Sequence, residues 1–112
     1  MARLTSATLA SALIRRVHQV GGSAMVLAKG DATAGGILIL AYQKGTNPRF
    51  FERGLGPKGE SALIASGPAE FADEGAVSAY WQRRRGFDSD LWVVELDIAD
   101  AERFAAETFN VD

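Results

Sequence analysis

The sequence has no cysteine, which removes disulfides, thiolate nucleophiles and cysteine metal sites together and fits a reducing, cytoplasmic setting. Histidine is nearly as scarce. His18 stands alone, so a multi-histidine metal site cannot be built, and its distance in sequence from any serine gives no hint of a triad; a solvent-exposed histidine is expected. Long apolar runs are missing as well. The longest, from Ala24 to Tyr42, is interrupted by Lys29 and Asp31, so no transmembrane helix is available and no membrane partner is expected. No acidic residue precedes Asp31, and Ala10-Ser11-Ala12 superficially matches a signal-peptidase site. Thr5, Ser6, Thr8 and Ser11 interrupt the apolar core a signal peptide needs, so the segment reads as a folded helix.

What is present is average for a globular chain. The 112 residues are 47% apolar and 23% charged, enough for one packed domain, 1–112, and too few for two. The net charge of −2 hides an asymmetry: residues 1–58 hold eight Lys or Arg against Asp31 and Glu52, while residues 59–112 hold four against twelve Asp or Glu. Attraction between the two segments accounts for this, and a pI near 5.4 argues against a dedicated nucleic-acid binder.

From Leu9 to Val20 the residues Leu9, Ala10, Leu13, Ile14, Val17 and Val20 share one side of a helical wheel, and Gly21-Gly22 can end the helix. Met25–Lys29, Gly36–Gln43, Arg49–Leu55 and Glu60–Ser66 read as strands, joined by links too short for a crossover helix, so an antiparallel meander is expected. Ile37–Tyr42 is apolar on both faces and is the candidate central strand. Asp73 can cap a helix running to about Arg85, with Gly86 as terminator, and Asp100 can cap a last short one. Between them Leu91–Ile98 alternates as a half-buried strand, with Trp92, Val94, Leu96 and Ile98 on the inner side and Leu91, Val93, Glu95 and Asp97 on the other. The expected class is α+β: a meander of about five strands with two or three helices mainly on one face.

Few residues invite chemistry. The glycine-rich stretch Lys29–Gly36 lacks the strand-loop-helix context and the spacing of a phosphate loop, and reads as a hairpin turn using glycine for positive φ and Asp31 for a local bond. Arg83-Arg84-Arg85 suits a helix C-terminus, with Asp88 and Asp90 near enough to pair with it. Arg84 alone shares the face of Val77, Tyr80 and Trp81. Glu95 and Asp97 have a spacing compatible with paired carboxylates or a divalent ion, and equally with a solvated sheet face. Phe50 and Phe51 beside Arg49 and Arg53 are the nearest approach to a base-stacking platform.

The run Ala12-Leu13-Ile14-Arg15-Arg16, the Lys-Gly-Asp turn followed by Ala-Gly-Gly, and Tyr80-Trp81-Gln82-Arg83-Arg84 leading to Asp88-Ser89-Asp90-Leu91-Trp92-Val93-Val94-Glu95 resemble the alphaproteobacterial family known as domain of unknown function 1491. The resemblance covers nearly the whole chain. Its pattern usually has proline where this chain has Ser89, so a less rigid turn is expected. The resemblance implies a small, stand-alone bacterial protein and transfers no catalytic or binding role.

With no nucleophile–base or metal-ligand constellation, the chain reads as a non-enzymatic binding or interaction protein without a cofactor, self-associating as a homodimer through unpaired sheet edges. The alternative is a small hydrolase or metal-dependent enzyme acting on an anionic metabolite, with Arg84 as charge clamp beside Asp90 and Glu95. The stretch from Gly86 to Trp92 is expected to clasp helix to sheet, through Asp88 or Asp90 and a buried Trp92.

Overall fold

A computed structural model describes residues 4–109. The elements are α1 (Ser6–Gln19), β1 (Ser23–Ala28), β2 (Ile37–Gln43), β3 (Thr46–Leu55), β4 (Ser61–Ser66), α2 (Glu74–Phe87), β5 (Trp92–Asp97) and α3 (Ala101–Thr108). The α+β class, five strands with three helices, is as the sequence predicts.

The strand order is not a meander. It runs β1-β5-β2-β3-β4, with β5 parallel to β2 and every other neighbouring pair antiparallel. β1 and β2 are separated by β5, which α2 returns across the sheet. The reason lies in β5 and its lead-in: Leu91 and Val93 are buried on one face, Trp92, Val94 and Leu96 on the other. A strand apolar on both faces gains most where both are covered, at the centre of a sheet. The alternation of Leu91–Ile98 is correctly legible, but its second side is wet only beyond Val93.

Two helices lie on one face. α1 and α3 bury Leu9, Leu13, Val17, Ala101 and Ala105 against Ile39, Phe51, Trp92, Val94 and Leu96. On the opposite face α2 contributes Val77, with Tyr80 and Trp81 packed at the margin, over Leu38, Leu40, Tyr42, Phe50 and Val93. Phe50 and Phe51 are therefore both buried, on opposite faces, at 1% and 7% exposure, and cannot serve as a stacking platform. Val20 falls at the end of α1 and is exposed.

Local signals place most boundaries. Thr5 caps α1 by accepting from the Thr8 amide, and Gly21, at φ +87°, turns the chain out of it. Asp73 caps α2 as expected, accepting from Ala76 at 2.9 Å, but Gly86 is not its terminator: the helix continues through Phe87 to a cap at Asp88. Asp100 makes no side-chain cap. It is left-handed, at φ 60°, and its carbonyl receives the Arg103 and Phe104 amides. The expected loop from Lys44 to Pro48 is a two-residue hairpin turn, Lys44-Gly45, with both φ positive at 52° and 72°.

The opposed charge of the two segments has a visible outcome. Arg16–Glu107 and Arg49–Glu102 pair basic residues of the first half with acidic residues on or beside α3.

Candidate functional site

Partly buried polar side chains on the α2 face of the sheet fall into two groups. The first centres on Arg84. Its guanidinium pairs with Glu52 of β3 at 2.5 Å and donates to Ser66 Oγ at 3.0 Å and Tyr80 Oη at 3.1 Å. Ser66 and Tyr80 are themselves hydrogen bonded, at 2.7 Å. The Glu52 carboxylate holds the guanidinium charged above its ordinary range, against the opposing effect of burial. Tyr80 also stacks against Phe50, whose ring centroid is 4.6 Å away, and Phe71 closes the aromatic layer.

The second group lies at the other end of α2. Tyr42 donates to Glu74, in the first turn of the helix, at 2.6 Å. Burial pushes the Tyr42 phenol far above its ordinary range, and Glu74, Glu95 and Asp97 add to this. It stays protonated and keeps donating. Glu95 lies on β5 between Met25 of β1 and Leu40 of β2. Burial raises its pKa first, and the charges of Glu74 and Asp97 raise it further. Asp97 is committed elsewhere, accepting from the Lys44 amide at 2.7 Å and the Gly45 amide at 2.8 Å. Its two oxygens thus satisfy the hairpin turn between β2 and β3. Among the described residues no cluster of three or more His, Asp or Glu is arranged to hold a metal ion.

The stretch between α2 and β5 forms a clasp. Arg85 donates to three carbonyls, Leu91 at 2.9 Å, Ser89 at 2.9 Å and Lys29 at 2.7 Å, tying the helix end, the turn and the end of β1 together. Asp88 accepts from the Asp90 amide at 3.0 Å, and Trp92 donates its indole NH to the Asp31 carbonyl at 2.8 Å. The expected role of Asp88 is present. The expected arginine–aspartate pair is replaced by arginine on backbone carbonyls.

The Lys29–Gly36 loop completes the clasp. Four of its amides have partners: Asp31 N bonds the Asp90 carbonyl, Thr33 N and Ala34 N the Asp31 carboxylate, and Gly35 N the Asp31 carbonyl. Its carbonyls at Ala32 and Thr33 receive the first amides of α1, from Ala7 and Ser6. These amides are not available to cradle a phosphate. Nor is it a hairpin, since β1 and β2 do not pair. Gly30 and Gly35 do not adopt positive φ; a Cβ there would meet the Asp90 carbonyl oxygen at 1.9 Å and 2.1 Å, so close approach is what demands glycine.

The three residues singled out from the sequence are not brought together. Arg84 faces Glu52 toward β4, Glu95 sits between β1 and β2, and Asp90 lies in the turn ahead of β5, where its carbonyl and amide make the bonds. No hydrogen bond or ion pair among the described residues joins them. His18 is exposed as expected, its Nε2 at 3.1 Å from the Ala24 carbonyl oxygen. Sequence reasoning missed Glu52, Tyr42 and Glu74, whose partners are 32 residues away and leave no local signal. Arg85 was signalled by its place in the last turn of a helix.

These features define a small α+β domain in three layers, with a helix pair that buries an aliphatic core on one face, edged by the Arg16–Glu107 and Arg49–Glu102 pairs, and a polar, aromatic helix contact on the other. The chain belongs to the family described as protein of unknown function (DUF1491), whose model matches residues 4–106. A DUF1491 family protein from Caulobacter crescentus, known from a crystal structure, is 33% identical with a TM-score of 0.78, over 91% of this chain and 94% of that one. An NMR structure of a DUF1491 family protein from the same organism gives 33% and 0.74, over 92% and 94%. A solution structure of a protein from A. tumefaciens gives 31% and 0.70, over 88% and 89%. No curated protein matches the chain. No described helix is long and apolar enough to cross a membrane.

Proposed function

We propose that the chain is a non-enzymatic interaction protein of the bacterial cytoplasm, acting as one domain without a cofactor and self-associating as a homodimer. One observation carries this reading. Three of the charged groups that could serve chemistry are engaged within the fold, Arg84 by Glu52, Asp97 by the hairpin amides and Glu74 by Tyr42, while the sheet ends in the strands β1 and β4 with backbone groups free to pair. An Arg84 clamp on an anionic metabolite would first have to give up its ion pair, which weighs against the small hydrolase or metal-dependent enzyme using Arg84, Asp90 and Glu95.

Thermal unfolding against a panel of divalent cations, nucleotides and phosphorylated metabolites tests this. The expected result is an unchanged melting temperature throughout, because only a ligand bound to the folded state raises it by mass action. A concentration-dependent rise with any member, abolished by Arg84→Ala or Glu95→Gln, would overturn the non-enzymatic reading.

A further inference from the structure

We propose that β4, and not β1, is the edge through which two copies join, antiparallel about a two-fold axis normal to the sheet at Ile64, giving one continuous sheet. This rests on the self-association reading and goes beyond it by naming the edge, the register and the residue on the axis.

The two edges differ in the devices that keep sheet edges from pairing, which are bulges, charges, prolines and covering groups. β1 has two of them. Its register against β5 shifts between Val26 and Ala28, and a bulge there twists the strand away from a flat partner. Its Ala24 carbonyl already has the His18 ring nitrogen at 3.1 Å. β4 has none. All six of its residues pair with β3 in unbroken register, from Ser61 opposite Leu55 to Ser66 opposite Phe50. The strand reads Ser-Ala-Leu-Ile-Ala-Ser, with no charge and no proline.

Symmetry then selects the register. A two-fold axis normal to the sheet keeps each side chain on its own face, so residues that meet must lie an even number of positions apart, and the residue on the axis meets its own copy. Centring on Ile64 sets it against itself, Leu63 against Ala65 and Ala62 against Ser66. No like charges are opposed, and every pair is apolar or small. Leu63 already packs against the core under α3, whereas Ile64 is 39% exposed. Covering Ile64 removes the larger apolar area from water, so it takes the axis.

Light scattering of the wild-type chain at micromolar concentration is expected to give the mass of two chains. Ile64→Lys sets like charges directly opposite each other and is expected to raise the dissociation constant about tenfold or more. Met25→Lys, at the exposed position of the other edge, is expected to leave the dimer intact. Because the chain lacks cysteine, Ile64→Cys gives a second readout that does not depend on how the lysine variant folds. Cβ atoms directly opposite lie about 4.5–5.5 Å apart, so mild oxidation should link two chains, and Leu55→Cys should not. A dimer that survives Ile64→Lys, or one that Ile64→Cys fails to cross-link, overturns the β4 assignment while leaving self-association standing. A monomeric wild type overturns both.

Discussion

The two faces of the sheet are covered in different ways. On one, α1 alone buries Leu9, Ala10, Leu13 and Val17 into an aliphatic core shared with α3. On the other, Val77 is the only buried residue of α2, and the helix meets the sheet through Tyr80, Trp81, Arg84 and Glu74. Burial of aliphatic surface is favourable and non-directional, so the α1–α3 face supplies most of the stabilisation. Hydrogen bonds and partly exposed ion pairs contribute little net free energy but depend on geometry. They hold α2 in one position, and Arg85 with the Lys29–Gly36 loop anchors its end.

The largest expected effect probes the aliphatic face and the clasp together. Trp92→Ala is expected to cost about 3 to 5 kcal/mol, since it removes a large buried aromatic and the shorter of the two hydrogen bonds to the Asp31 carbonyl. Asp90→Asn, which keeps the backbone bonds, should stay within about 0.5 kcal/mol. Urea melts of both variants measure this, and near-native stability of Trp92→Ala would break the comparison.

A smaller effect belongs to the α2 face. In a double-mutant cycle between Arg84→Ala and Glu52→Ala, the coupling energy is expected to be about 1 kcal/mol, because both side chains remain partly in water. A coupling several times larger would mean that the polar face carries stability comparable to the aliphatic one.

The smallest is the pH response of Glu95. Its folded-state pKa is raised above the ordinary glutamate value, so in that window the folded chain binds more protons than the unfolded one. Its contribution is fully present below the unfolded pKa and is lost as pH rises through the folded pKa. Glu95→Gln, which cannot ionise, is expected to be slightly more stable than wild type at neutral pH, with the difference vanishing in acid. Urea midpoints across that range measure it, and an unchanged difference at all pH values would remove the acidic group as a site of strain.

Much of the first layer of this was readable in advance. The stripe from Leu9 to Val17 and the alternation of Trp92, Val94 and Leu96 follow from periodicities of 3.6 and 2, and the Asp73 cap from a short acceptor side chain beside the free amides of a first helical turn, all of them local properties of the chain. The Asp31 turn was readable because its carboxylate reaches amides two and three residues on. The position of β5 was not, because strand order depends on which faces the remainder of the chain can cover. The polar partners were no more legible: Glu52 meets Arg84, and Glu74 meets Tyr42, only because β3 and β2 lie beneath α2.

By itself the sequence determined the α+β class, the helical and extended segments, and the burial of Trp92, since each depends on residue spacing along a single element. Only the tertiary structure decided that β5 lies between β1 and β2, that Arg84 is neutralised by Glu52, and that β4 is left as a bare edge. Those outcomes depend on pairings between distant segments, whose free energy comes from mutual burial and hydrogen bonding once both are in place.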